Sequence, residues 1–543
     1  MSATKAKTQA GAQVRTAAAV APSPLYLFSP GIDLTFIAGG LTFALLPLCL
    51  FTSQSLTEQS FLFLLFFCNY PHYMATIYRV YGSRSQIERY RLFAVHFTAL
   101  MVLAAILGHV LRGPWIKVLY TIYFTWSPFH YSGQNYGISL MYLRRGGVVP
   151  TPTDRWLLYV SFIAAFLMDV VYMNVATTGD TPLVQLGVPP DVAHGIYLAL
   201  LVIGTLAAVG FLRQILGRAP IRVLAPALLL MATQFTWFAV ATGVPLFSAD
   251  LASHGIRLDN LLPPIAFLHC AQYLGVTAYY AKRERTEQGG FDFWSYVRVL
   301  IVGGVFLWLG TTRLLSDVFG VDYALSYIIV LSLLNIHHFV MDGAIWKLRD
   351  GRIARLLVGA PSAPPTPAPP GAPALGRGGR RLAWAAAAVV AIWLGGTDVL
   401  YRVGVRRAQE LAQAGNRREA RDLYQRLARM NPRTAEAIDG LAYGDLTAGD
   451  IERAVARWQE SIALNPTSAY AYVGIGESYL KLGRVDDAIV NLERATALAP
   501  GQPSGFALLA KAYAAKGDTD KAATMQGRAD AISAAARMPR SVY

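Results

Sequence analysis

Between residues 33 and 402 the chain runs through one apolar stretch after another. They lie near 33–51, 58–79, 92–111, 116–143, 156–176, 192–213, 222–243, 261–281, 295–313, 323–346 and 382–402. A helix needs roughly 20 residues to cross about 30 Å of hydrocarbon, and these stretches have that length. Composition agrees: only 15% of residues are charged, against roughly 25% in an ordinary soluble domain. Mean hydropathy is +0.38. The expected fold class is all-α, a polytopic transmembrane helical bundle of about 11 spans, with something different after it. From Arg402 onward, acidic and basic residues are frequent and nearly balanced, as on a soluble surface.

The net charge of +15 suggests a nucleic-acid partner until its location is considered. Much of the excess sits in short loops, such as Arg79 to Arg91 and Lys347 to Arg355, which is where cytoplasmic loops of membrane proteins carry it. Loops after the second, fourth, sixth, eighth and tenth stretches are basic, and the alternate loops are nearly free of positive charge. By that rule the N-terminus, with Lys5, Lys7 and Arg15, is cytoplasmic, and eleven crossings put the C-terminal part on the exoplasmic side. A bacterial inner membrane with a periplasmic tail fits this reading, and nucleic acid drops out as a partner. The first 24 residues lack the apolar core of a signal peptide, so the first span is expected to insert itself. Cys49, Cys68 and Cys270 all lie in apolar stretches and build no disulfide framework.

The expected organisation is an N-terminal disordered tail (1–25), a ten-span bundle (26–350), a linker (351–381), a last span (382–402) and a tail domain (403–536). The linker contains the Pro/Ala run 359–376, whose composition favours extended conformers. The tail domain repeats. Gly415, Gly449, Gly483 and Gly517 stand 34 residues apart, as do Ala420, Ala454, Ala488 and Ala522, and also Pro432, Pro466 and Pro500. Gly permits the tight turn between two helices, Ala their close approach, and Pro breaks the chain before the next pair. This register resembles the tetratricopeptide (TPR) repeat. Its third copy carries Tyr472, Ile475, Gly476, Tyr479, Gly483, Ala488, Leu492, Ala495 and Pro500 at the family's positions. The resemblance implies an α-solenoid of four repeats with a groove for a protein or peptide partner.

All nine histidines precede residue 339, and seven (His72, His96, His109, His130, His269, His337 and His338) lie inside apolar stretches, with His194 at the edge of another. Four stretches that run towards the cytoplasm have similar local patterns: Asn69-Tyr70-Pro71-His72-Tyr73; Ser127-Pro128-Phe129-His130-Tyr131 with Gln134, Asn135 and Tyr136; Phe267-Leu268-His269-Cys270 with Gln272 and Tyr273; and Asn335-Ile336-His337-His338-Phe339 with Asp342. Each His lies seven to fourteen residues before a basic loop. At 1.5 Å of rise per residue this is roughly 10–20 Å from the cytoplasmic face, so the imidazoles share a depth. His338 and Asp342, four apart, share a helix face. Imidazole is a common metal ligand, and a carboxylate completes or orients such sites.

The expectation is therefore that His72, His130, His269, His337 or His338, and Asp342 converge on a metal, with iron the first choice. Gln134, Asn135, Tyr136, Gln272, Tyr273 and Asn335 are the candidate supporting or substrate-contacting residues. An iron-dependent oxygenase or hydroxylase acting on a membrane lipid or other apolar substrate would follow. The habit of one His per helix resembles membrane iron oxygenases such as the Brp/Blh-like carotenoid-cleaving family, whereas the HxxxH and HxxHH boxes of membrane desaturases are absent.

Other readings stay open. A His in a membrane helix is often a packing residue, the reading kept for His96 and His109, and His194 and His254 belong at the outer interface. Neighbours in His337-His338 point about 100° apart, so one can face inward and the other pack. Asp169 and Asp342 would suit a transporter. A polyprenyl-phosphate-dependent glycosyltransferase with exoplasmic repeats, or an assembly scaffold, also matches the layout. The pairs Gly39-Gly40 and Gly303-Gly304 are read as points of close helix packing.

Overall fold

The computed structural model describes residues 24–51, 64–113, 115–175, 183–247, 262–287, 290–348, 350–359 and 377–537. The N-terminal tail and the Pro/Ala run thus fall almost wholly outside the described residues, as does His254. The described chain is helical throughout, apart from one isolated bridge between Val175 and Val188.

The bundle comprises α1 (Pro30–Ile37), α2 (Leu41–Phe51), α3 (Tyr70–Tyr81), α4 (Leu92–Leu111), α5 (Trp115–Arg145), α6 (Pro152–Met173), α7 (Pro190–Ile215), α8 (Ile221–Gly243), α9 (Leu262–Glu287), α10 (Phe293–Phe319) and α11 (Tyr323–Ile345), with the short α12 (Gly351–Val358) beneath them. Then come α13 (Arg377–Gln413), α14 (Arg417–Met430), α15 (Ala435–Ala448), α16 (Ile451–Leu464), α17 (Ala469–Lys481), α18 (Val485–Leu498), α19 (Pro503–Lys516) and α20 (Thr519–Arg537).

Among the described residues, seven helices are long and apolar enough to cross a membrane: α4, α6, α7, α8, α10, α11 and the α13 segment from Arg381. They number eight if α1 and α2, bent by 61° at Gly39 and Gly40, count as one. Helices α3, α5 and α9 fall outside that set. With 12 residues α3 is too short, and polar side chains such as Ser127, His130, Gln134, Asn135, His269 and Gln272 dilute the apolar character of α5 and α9.

Two glycine pairs set helix geometry. Gly39 adopts φ +87°, a left-handed conformation open to Gly at little cost, and so makes the break between α1 and α2. A Cβ there would also stand 2.4 Å from Thr233 Oγ1. On α10, a Cβ on Gly304 would stand 2.6 Å from the Tyr70 backbone, and one on Gly303 would meet Met74. That contact presses α10 against α3 and fixes the helix carrying His72.

The repeat region stacks as helical hairpins in which α13 supplies the first helix. Gly415, Gly449, Gly483 and Gly517 all take positive φ (83°, 88°, 73° and 86°) at the ends of α13, α15, α17 and α19, as the 34-residue register required. Trp458, Ile475, Tyr479, Leu492, Leu509 and Tyr513 fill the core between hairpins. Because α13 runs unbroken from the apolar segment into the first hairpin, the solenoid is seated on the bundle rather than hung from it. Asp322, at the start of α11, accepts from the Ala435 N–H at 2.8 Å, and the Tyr323 N–H donates to the Arg433 carbonyl at 2.7 Å. Arg112 Nη1 adds a bond to the Ala463 carbonyl, and Arg433 pairs with Asp317.

A candidate metal centre in the bundle

Local backbone breaks aim the first two histidines. A π-helical turn over Leu65–Asn69 leads straight into α3, so that Tyr70, Pro71 and His72 follow a widened turn of the kind found at functional sites. Pro128 interrupts the hydrogen-bond ladder of α5 two residues before His130. Ser127 Oγ bonds the Tyr123 carbonyl nearby, which helps stabilise the interrupted turn. His269 and His338 come from the middle of α9 and α11.

These four side chains meet. The ligating atoms of His72, His130, His269 and His338 all lie within 4.8 Å of one another. Their rings form a closed circuit: His72 to His269 4.9 Å, His269 to His130 4.9 Å, His130 to His338 4.9 Å and His338 to His72 4.2 Å between centroids. His72, His269 and His338 are buried, and the His130 side chain is only 9% exposed. Five of their nitrogens have no hydrogen-bond partner: His72 Nδ1, His130 Nε2, both of His269 and His338 Nε2. An unsatisfied buried polar group costs about 1–3 kcal/mol, so five of them on four touching rings call for a water, an ion or a catalytic role.

Asp342 sits on the rim with its two oxygens in different duties. Oδ1 accepts from Tyr273 OH at 2.7 Å and Thr76 Oγ1 at 3.1 Å. Oδ2 faces the histidines, 3.4 Å from His338 Nε2 and 3.8 Å from His130 Nε2. Thr76 Oγ1 also lies 3.0 Å from His338 Nδ1. With the Thr76 proton given to Asp342, that nitrogen must donate to Thr76, which leaves the Nε2 lone pair directed at the centre. Trp346 Nε1 donates to Tyr273 OH, and Arg79 lies over the Trp346 ring at 3.5 Å, closing this side.

Of the remaining expected residues, Gln134 spans to α9, donating to the His269 carbonyl at 3.1 Å and to Gln272 Oε1 at 3.0 Å. Asn335 accepts from Tyr73 OH, whose ring packs on His72 and His338. Three residues go elsewhere. His337 Nε2 lies 2.9 Å from Thr98 Oγ1 and its ring stacks on Phe97, so it packs against α4 and is replaced in the group by His338. Asn135 bonds Gln234 on α8, and Tyr136 reaches the Arg155 carbonyl at the start of α6. The reason is the same in each case: successive helical residues are rotated by about 100°, so a neighbour of an inward residue faces another helix. His109 is a packing residue, bonded to the Ala105 carbonyl and Ser326, and His194 bonds the Leu246 carbonyl. Thr76 was not singled out from the sequence, although its place four residues after His72 puts it on the same face.

The solenoid has chemistry of another kind. Asp445 is fully buried and ion-paired with Arg421, Arg453 and Arg457 at 3.0–3.1 Å. Near the seam with the bundle, burial pushes the Asp439 carboxyl up to about 7, and the acids Asp322 and Glu436 add to that push.

Stacked hairpins of this geometry define an α-solenoid. Residues 445–512 match the tetratricopeptide repeat family model, and the C-terminal domain is a tetratricopeptide repeat domain, a module that binds protein partners. Similar solved structures include MamA (24% identity over 25% of this chain and 78% of that one, TM-score 0.23). Others are a thermophilic TPR protein of Thermus thermophilus (24% identity, 24% and 74% covered, TM-score 0.24) and MamA from Desulfovibrio magneticus (19% identity, 26% and 77% covered, TM-score 0.23). No curated protein matches the chain.

Proposed function

We propose that the bundle is a membrane-embedded metalloenzyme in which His72, His130, His269 and His338 hold an iron ion, with Asp342 as a fifth ligand or the orienting carboxylate. It acts as an oxygenase or hydroxylase on a lipid or other apolar substrate, and the repeat domain recruits a protein partner. The observation carrying this reading is the closed circuit of four imidazoles whose ligating atoms lie within 4.8 Å of one another, five of their nitrogens having no hydrogen-bond partner. Imidazole donors suit Fe, Zn and Cu alike. Iron is favoured because it supplies one-electron and dioxygen chemistry, the kind needed to functionalise an unactivated hydrocarbon. The chain's own residues hold and orient. Thr76 sets the tautomer of His338, Tyr273 and Thr76 restrain Asp342, and Asp342 Oδ2 is left to take or give a proton at the centre.

The proposed topology has eleven crossings with the N-terminus cytoplasmic and the repeats periplasmic, in a bacterial inner membrane. The seven apolar helices, the bent pair and the three polar His-bearing helices together give that count. The seating of the solenoid on the turn before Tyr323 supports it, since that turn belongs to the expected exoplasmic loops.

Purified full-length protein, loaded with ferrous iron alone, is expected to bind one iron per chain by elemental analysis. His269→Ala should lose it while keeping its helical circular dichroism. Well-folded protein that takes up no metal sinks the reading, and uptake of zinc with no iron sinks the oxygenase. A periplasm-active reporter fused after Tyr543 is expected to be active, and an inactive fusion overturns the crossing count.

A further inference from the structure

We propose that the cavity beside His130 and Asp342 is a chamber for one acyl chain of a membrane lipid, admitted sideways from the bilayer through a glycine-edged gap between α5 and α11. The proposal rests on the reading of the four histidines as the reacting centre and names what reaches it.

The cavity measures about 300 Å³, within the range of small-molecule sites. His130, Gln134, Asp342 and Tyr273 supply its polar groups. Trp126, Phe129, Ile138, Met141, Phe339 and Trp346 give the rest an apolar and aromatic wall without a charged group among them. Such a wall suits hydrocarbon and provides no counter-charge for an ionic substrate.

Three lining residues are glycines: Gly133 and Gly137, four apart on α5, and Gly343 on α11 next to Asp342. A Cβ on any of them would meet nothing within 4 Å. This separates them from Gly303 and Gly304, where a Cβ would strike Met74 or the Tyr70 backbone. Glycine inside a helix costs about 1 kcal/mol relative to alanine. At 303 and 304 close helix packing offsets that cost. At 133, 137 and 343 no such contact exists, and what the missing side chains provide is open space. Gly133 and Gly343 are themselves exposed, and Ile122 and Phe129 on the same flank of α5 are apolar and 46% and 40% exposed. An apolar flank of this kind on a membrane helix faces lipid. The gap therefore opens where acyl chains are the surrounding medium, and the ligand needs no passage through water.

The test uses the full-length protein in detergent and a phospholipid with a diazirine on a stearoyl chain. A diazirine-bearing geranylgeranyl phosphate serves as the comparison probe. After illumination, cross-linked residues are mapped by mass spectrometry, and iron content and unfolding temperature are measured on the same samples. The stearoyl probe is expected to label Trp126 or Phe339, which line the cavity and are not among the exposed residues of the lipid-facing flank. Gly137→Leu should fill the chamber and cut that labelling about tenfold, the effect of roughly 1.4 kcal/mol, while Gly137→Ala changes it little. Both variants should keep the wild-type iron content and unfolding temperature, and Gly343→Leu is the second variant if Gly137→Leu fails to fold. Labelling absent from these residues, undiminished in a folded leucine variant, or given only by the geranylgeranyl probe overturns the proposal. Labelling that follows this pattern in protein unable to bind iron supports the chamber and removes the metal reading alone.

Discussion

In the solenoid the buried carboxylate of Asp445 is met by three arginines, whereas in the bundle the buried imidazoles are met chiefly by one another. Both regions place polar groups where water does not reach, a costly arrangement unless those groups find partners. Asp445 finds them within the chain, and its cluster ties neighbouring repeats together. The bundle leaves five imidazole nitrogens unmatched, although Thr76, Tyr273 and Trp346 arrange the carboxylate next to them with care. Both regions hold buried polar atoms without a hydrogen-bond partner, Asp445 Oδ1 and Oδ2 among them, but Asp445 is charge-paired by three arginines and the imidazoles have no such counter-charge from a basic or acidic cluster of their own. The proposed metal would supply the partner that these imidazoles lack. Position in the sequence follows the same division, since the repeat domain has no histidine and the bundle has all nine.

If the two regions are separable in this sense, damage to one should leave the other's signal intact. The largest effect is expected for Trp458→Ala. Trp458 is buried against Gly474, where a Cβ would stand 2.4 Å from its ring, and large-to-small changes of this type cost about 3–5 kcal/mol. Thermal unfolding of the purified variant should show early loss of the repeat domain with iron content unchanged. Concurrent loss of iron would break the comparison.

The seam between the regions offers the next effect, through pH. Asp439 holds its proton more tightly folded than unfolded, because burial raises its pKa to about 7. The stability it contributes is fully present below the ordinary aspartate range and is lost as pH rises through about 7. The loss should amount to roughly 2–4 kcal/mol, and Asp439→Asn should flatten the dependence. Denaturant titrations of the repeat domain between these limits check the slope, and a rise in stability over the same interval would contradict the sign.

A smaller change is expected for Thr76→Val, which removes the hydroxyl bridging His338 and Asp342. Losing such a support weakens metal affinity by about 10–100-fold, readable by competition with a chelator, and repeat-domain unfolding should not move. The smallest belongs to Gly483→Ala. Its φ of +73° disfavours a Cβ although nothing lies within 4 Å, so the cost should be about 1 kcal/mol in repeat-domain unfolding and nothing in metal binding.

Much of this protein could be read along the chain, because the signals concerned are local or periodic. Four glycines spaced 34 apart announce four left-handed turns, since each turn imposes its requirement on a single residue. The apolar stretches announce helices for a similar reason, and the shared depth of His72, His130, His269 and His338 follows from counting residues to a basic loop. The choice between His337 and His338 could not be made that way, nor could the departure of Asn135 and Tyr136 towards α8 and α6. Those outcomes depend on how each helix is rotated about its axis, and rotation is set by packing: Gly304 against Tyr70, the π turn before α3, Pro128 in α5. The seating of the solenoid on Asp322 and the open space left by Gly133, Gly137 and Gly343 likewise exist only between segments distant in sequence. Sequence by itself determined the elements, the repeat and the four helices whose histidines share a depth. Tertiary structure decided which side chains turn inward, because that depends on contacts no single segment contains.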